Sequence, residues 1–280
     1  MKINCQVRQA SSNLDAKHYD TARLRQEYLV ETLMVPDEIN IVYSMIDRII
    51  TAGAVPVKED LLLSPPEILR AEYFTQRREL GIINVGGPGT VVVGEDEYHL
   101  DFKEALYVGR GNRHVTFKSD DPSRPAHFYF NSATAHKETG VVKATKENAV
   151  VMHLGSLESA NERTINRLLV KEVVPTCQLQ MGMTELAPGS TWNTMPPHTH
   201  DRRMEVYFYF EVPSEDAVCH FMGEPTETRH IWMHNEQAVI SPQWSIHAAC
   251  ATHNYTFIWG MCGENDDYND MDGIAVKDMR

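Results

Sequence analysis

From Glu38 onward the chain is written in short β-prone runs separated by turn signals, and that rhythm leaves few folds open. "EINIVYSMID", "GIINVG", "TVVVG", "EYHLDF", "EALYVG", "HVTF" and "HFYFNS" follow one another, punctuated by "GGPG", "GED" and "GRGN". Runs this short cannot each bury a face alone, so they must pair into sheets that close on one another. From about residue 150 the rhythm returns as "AVVMHLG", "CQLQMGMTEL", "EVYFYFEV", "HFMG", "RHIWM", "QAVISP" and "TFIWGMCG". Helical periodicity is clearest in "YDTARLRQEYLVETLMVPDE". There Asp20 or Thr21 caps a helix, Leu24, Tyr28, Leu29 and Leu33 form its apolar face, and Pro36 stops it. A turn or two is also expected at "SPPEILRAEYF". The expected class is mainly all-β: two β-barrel domains in tandem with a few short helices.

The two halves share a finer pattern. "RRELGIINV" (77–85) parallels "RRMEVYFYF" (202–210), with one residue fewer before the glutamate, and "GRGNRHVTF" (109–117) parallels "SPQWSIHAA" (241–249). Each half runs glutamate, strand, hairpins, turn, histidine, which an internal duplication explains. A length of 280 residues accommodates domains at 1–150 and 151–280.

Composition narrows the function. Hydrophobic residues make up 42%, enough for a real core. The net charge of −13 argues against nucleic acid as a partner, since phosphate-backbone binding needs a basic face. A small anionic substrate needs only one or two local arginines. No run approaches the roughly 20 apolar residues of a membrane span, and "MKINCQVRQASSN" lacks the apolar core of a signal peptide. Five cysteines without a CxxC pair read as thiols in a reducing compartment, so a cytoplasmic protein is expected. "GGPG" leads into the strand "TVVVG" and not a helix, so it fails the dinucleotide fingerprint.

Chemistry concentrates in "MPPHTHDRRMEVYFYF" (195–210). His198 and His200, two apart, share a face on an extended strand. Glu205 has the opposite parity, so a bend through "DRR" must return it to that face, and His247 supplies a fourth ligand. Imidazoles plus one carboxylate suit Zn, Fe, Mn, Ni or Co. His153, His220, His230, His234 and His253 stand alone and carry no expectation.

These residues resemble the cupin superfamily, whose first motif is a glycine, His-x-His and, a few residues on, Glu. Gly189 and "HTHDRRME" match it, with the glycine farther away than usual; Pro242 to His247 matches the second motif, with Trp244 where glycine is usual. "DRIITAGAVPV", "RELGIINVGGPGTVVV", "MPPHTHDRRMEVYFYF", "SPQWSIH" and "NYTFIWGMCGEN" together resemble the 4-deoxy-L-threo-5-hexosulose-uronate ketol-isomerases, over nearly the whole chain. That resemblance implies tandem cupin-like barrels, one zinc ion per chain, a homohexamer, and a role in pectin or glycosaminoglycan uronate catabolism. By motif position the ligands are His198, His200, Glu205 and His247.

The implied reaction turns an α-hydroxy aldehyde into a ketone beside a primary alcohol, through an enediol or enediolate that a divalent metal would stabilise. Tyr207 shares parity with Glu205 and is expected on the same interior face. A hairpin turning at Gly189 sets Thr184 opposite Thr194, so both hydroxyls approach the substrate. Its carboxylate wants a guanidinium, for which Arg203, Arg163 and Arg167 are candidates. Glu205, a histidine or Tyr207 could each serve as base. In the N-terminal half Glu79 and His114 stand where Glu205 and His247 stand, but no His-x-His precedes them, so this half is expected to be a degenerate copy without metal. Rival readings are a cupin dioxygenase, which would consume oxygen, and a non-catalytic sugar-binding cupin.

Overall fold

The computed structural model describes residues 2–280, and within them one sheet pattern occurs twice. The first seven-stranded sheet is ordered Lys2–Arg8, Glu38–Ser44, Ile50–Ala54, Phe128–Thr134, Arg78–Asn84, Ala105–Val108, Val141–Ala144. A four-stranded sheet, Leu61–Leu62, Val115–Ser119, Gly89–Val93, Asp96–Leu100, accompanies it. The second seven-stranded sheet is ordered Val150–Leu154, Arg163–Leu169, Gln180–Leu186, Thr256–Gly263, Arg203–Phe210, Gln237–Ser241, Leu29–Val30. Its companion is Trp192–Asn193, Ala248–Ala251, Val218–Glu224, Glu227–Met233. The two sets correspond strand for strand except at the last edge. There the first sheet uses Val141–Ala144, and the second uses Leu29–Val30 from near the N-terminus.

That edge explains two departures from the sequence reading. The expected helix, Thr21–Tyr28, begins where the sequence places it, with Asp20 accepting from the Arg23 amide at 2.8 Å, but it ends at Tyr28 and not at Pro36. Leu29 and Val30, both buried, leave the helix to pair with Val239 and Ala238. Edge pairing plus burial outweighs a few tenths of a kcal/mol per residue of helix propensity. The chain accordingly divides otherwise than by one cut at 150/151. One compact unit takes the stretch up to Arg8, Thr32–Val150 and Leu168–Met181; the other takes Gln9–Glu31, Val151–Arg167 and Gly182–Arg280. The expected turns at 64–74 appear as short 3-10 segments, Glu67–Leu69 and Phe74–Gln76.

In the first unit, side chains from both sheets fill the interior. Leu80, Ile82, Leu106 and Val108 of the seven-stranded sheet share one cluster with Val91, Val93, Val115 and Phe117 of the four-stranded one, all buried. Each such side chain contributes about 1.5–3 kcal/mol by leaving water. The interior place of Glu205 is taken here by Leu80, not Glu79. Leu80 pairs with Val108 as Glu205 pairs with Ser241, each partner being the last residue of its strand. Because side chains alternate, the one-residue offset puts Glu79 on the opposite face. There its carboxylate accepts from the Tyr107 and Thr176 hydroxyls and from the amides of Cys177, Gln178 and Leu179, at 2.8–3.0 Å. His114 does precede its strand as His247 does, but it is exposed and has φ 57°.

Glu79 is thus a structural anchor. Glu79→Gln should destabilise the protein by roughly 2–4 kcal/mol, because an amide brings its own donors among five that need an acceptor. Chemical denaturation would check this; a midpoint equal to wild type would contradict it.

Candidate metal centre

Four side chains from three segments converge in the second unit. His198 opens the two-residue strand His198–Thr199, which pairs with Asp272–Gly273 near the C-terminus. His200 follows it, and Asp201 and Arg202 form the turn that the parity argument requires before the strand Arg203–Phe210. Glu205 lies on that strand, and His247 comes after the turn at 243–244, just before Ala248–Ala251. His200, Glu205 and His247 are buried; His198 is partly exposed.

Three Nε2 atoms and one carboxylate oxygen face one another. His198–His200 is 3.1 Å, His200–Glu205 3.0 Å, Glu205–His247 2.9 Å and His247–His198 2.9 Å. The Nδ1 of His200 is 2.6 Å from the Asp270 carbonyl. A carbonyl only accepts, so Nδ1 carries the proton and the Nε2 lone pair points into the cluster. Burial, then His247, lowers the His198 pKa to about 2; burial also lowers that of His247. Burial opposes ionisation of Glu205, but His247 and His200 overcome it and hold the carboxyl well below the usual carboxylate range. Neutral imidazoles and an ionised carboxylate are the forms that bind metals. Donors with bonds of about 2.1 Å meeting at right angles stand about 3.0 Å apart, so the cluster is sized for a first-row divalent cation.

A cavity of about 260 Å³ opens beside the cluster, near the lower end of small-ligand sites. Arg163, Thr184, Thr194 and Tyr207 line it with His198, His200 and Glu205. The Tyr207 and Thr194 hydroxyls are 2.9 Å apart. Burial, then Glu205, holds the Tyr207 phenol well above its ordinary value, so it stays protonated at neutral pH. Thr184 and Thr194 are not cross-strand partners, contrary to the hairpin expectation. Gln180–Leu186 belongs to the seven-stranded sheet, while Trp192–Asn193 precedes Thr194 and joins the four-stranded one. Both threonines reach the cavity all the same.

The arginines separate. Arg163 lines the cavity, and its only hydrogen-bond partner among the described residues is the Asn161 carbonyl, 2.8 Å away. Arg203 does not line it; its guanidinium donates to the carbonyls of Asp267, Tyr268 and Asp270 at 2.7–3.0 Å. Arg167 stacks over the Tyr268 ring at 4.1 Å. Both therefore hold the segment around Tyr268, which with Asn269 and Met271 forms part of the cavity wall. Arg202 pins the same segment through Asp270 and Asp272. Sequence reasoning missed this wall, because "GENDDYNDMDG" looks like an ordinary acidic loop. It also missed Phe257, Trp259 and Met261, although their alternation along Thr256–Gly263 marks one face. His220, singled out for nothing, is fully buried with Nδ1 2.8 Å from the Tyr209 hydroxyl. Trp244, at the cupin glycine position, packs edge-on against Tyr28 at the end of the helix Thr21–Tyr28, ring centroids 6.4 Å apart.

Among the described residues no helix is long and apolar enough to cross a membrane. Comparison with known proteins agrees with the architecture. An IolB-like protein from Salmonella typhimurium LT2 superposes with a TM-score of 0.66 at 12% identity, covering 81% of this chain and 87% of that one. The oxalate decarboxylase of Lactobacillus farciminis, as its formate complex, gives a TM-score of 0.55 at 9% identity. 

In that pairing the match covers 81% of this chain and 79% of the decarboxylase. Closer relatives match end to end. The 4-deoxy-L-threo-5-hexosulose-uronate ketol-isomerase 1 of Bacteroides thetaiotaomicron is 60% identical over 280 residues, all of both chains. The ketol-isomerase of the same name from Yersinia pseudotuberculosis is 53% identical over 277 residues, 98% of this chain and all of that one. The model of the KduI/IolB family matches residues 37–276. With that span and those identities, the chain belongs to the KduI/IolB family.

Proposed function

We propose that this chain is an aldose–ketose isomerase converting 4-deoxy-L-threo-5-hexosulose uronate to 3-deoxy-D-glycero-2,5-hexodiulosonate, in the breakdown of pectin and glycosaminoglycan uronates. One juxtaposition carries the reading: the histidine–glutamate cluster and the guanidinium of Arg163 line the same cavity. Relatives named for this isomerisation, identical at 53–60% of positions over essentially the whole chain, support it.

The reaction moves one proton from the hydroxyl-bearing carbon to the neighbouring aldehyde carbon, with the carbonyl exchanged for the alcohol. No electrons leave the substrate, so no redox cofactor is needed. His198, His200, Glu205 and His247 would hold one divalent cation, Zn2+ by the family resemblance, whose Lewis acidity would steady the charge developing on the two adjacent oxygens. Arg163 would take the substrate carboxylate by charge-assisted hydrogen bonds, fixing which end of the sugar acid reaches the cluster. Tyr207, protonated and tied to Thr194, would donate to a substrate oxygen. Phe257, Trp259 and Met261 would keep bulk water from the intermediate. One cation per chain is the natural count, since Leu80 and its apolar neighbours fill the corresponding interior of the first unit.

The test is anaerobic incubation of purified protein with the uronate, followed by NMR. Conversion of the aldehyde to a hydroxymethyl ketone without oxygen is expected. An absolute requirement for oxygen would replace this reading with a dioxygenase.

A further inference from the structure

The first unit has a cavity of its own, about 410 Å³, that the proposed chemistry does not use. Arg77, Arg78 and Arg110 line it beside Tyr43, Leu69 and Phe74, and among the described residues no carboxylate does. Backbone carbonyls hold the guanidinium groups in place. Arg77 donates to Leu69 and Arg70, and Arg110 to Gln76 at 3.1 Å and Ala135 at 3.2 Å. Arg78 donates to the Arg48 carbonyl at 2.6 Å and the Ser132 carbonyl at 2.7 Å, and lies over the Tyr43 ring at 5.6 Å. At Arg77 and Arg110 these carbonyls orient the guanidinium without neutralising it. In a protein of net charge −13, arginines gathered around one concavity are a local exception.

The duplication shows what Arg77 lacks. Arg78 and Arg203 open corresponding strands, so Arg77 corresponds to Arg202. Arg202 meets two carboxylates, Asp270 and Asp272, from the segment near the C-terminus. Arg77 meets only carbonyls among the described residues. From this we infer that the cavity of the first unit is a binding site for a small organic carboxylate of the sugar-acid class. Arg77 and Arg110 take the carboxylate, and the apolar wall of Leu69 and Phe74 takes the carbon skeleton. The site lies apart from the cavity of Arg163, and the choice of a sugar acid as its ligand rests on the proposed function.

Calorimetric titration of the full-length protein with D-galacturonate tests it, comparing wild type, Arg77→Ala/Arg110→Ala, Arg77→Gln and Arg163→Ala. Arg77 is exposed, so Arg77→Gln guards against loss of fold as the cause. The expected result is at least tenfold weaker binding in the double variant, a smaller loss in Arg77→Gln, and a binding event that persists in Arg163→Ala. Isomerase kcat in the two Arg77 variants should stay within twofold of wild type without added D-galacturonate. Undetectable binding to wild type, or equal affinity in wild type and the double variant, would overturn the inference. So would binding lost only in Arg163→Ala. Dissociation of an oligomer by the double variant in sedimentation, with no D-galacturonate bound by wild type, would assign the cavity to a carboxylate of a second copy and overturn it too.

Discussion

His198→Ala/His200→Ala is expected to purify without the divalent cation proposed for the cluster and to lose at least about 10³-fold in kcat/KM, some 4 kcal/mol of transition-state stabilisation. Two of four donors disappear, and two remaining ligands rarely hold a divalent ion against water. His200 also donates Nδ1 to the Asp270 carbonyl, so its loss loosens one tie on the cavity wall. Arg202 and Arg203 keep three further residues of that segment in place. The β fold should therefore persist, because the strand Arg203–Phe210 remains paired on both sides with Thr256–Gly263 and Gln237–Ser241. Elemental analysis beside circular dichroism reads both outcomes. Stoichiometric metal in the folded double variant would remove His198 and His200 from the ligand set.

Arg163→Ala should lower kcat/KM by about 10²–10⁴, through two charge-assisted hydrogen bonds of roughly 1.5–3 kcal/mol each that fail to form with the substrate carboxylate. The fold should be indifferent, since the side chain gives up only its bond to the Asn161 carbonyl. A lysine at this position keeps the charge but not the planar fork, so Arg163→Lys should recover part of the loss. Steady-state kinetics on the uronate decides it; kcat/KM within threefold of wild type in Arg163→Ala would reject the carboxylate assignment.

Local signals in the sequence carried far for this protein. Alternating short strands specified the mainly β architecture, and the spacing of His198, His200, Glu205 and His247 anticipated a cluster whose ligand atoms lie within 4.8 Å of one another. What was illegible depended on distant pairing. Nothing local in Leu29–Val30 says that the helix must stop so that these residues can complete a sheet with Gln237–Ser241. The likeness of Glu79 to Glu205 misled for a related reason. A one-residue offset is small in sequence but decides the face in a strand, and only the pairing register reveals it. Arg203, attractive by its nearness to the ligands, is occupied by carbonyls of the segment near the C-terminus, more than sixty positions away. Arg163, a candidate beside it on residue type alone, reaches the cavity because its strand lies two places from Thr256–Gly263 in the sheet.

Anaerobic turnover in D2O, with the product examined by NMR, tests the central claim most directly. Proton transfer through an enediol in the Arg163 cavity predicts deuterium on the new hydroxymethyl carbon, and loss of that labelled product in His198→Ala/His200→Ala. Turnover that proceeds unchanged in the double variant, or a wild-type product without deuterium at that carbon, would contradict it.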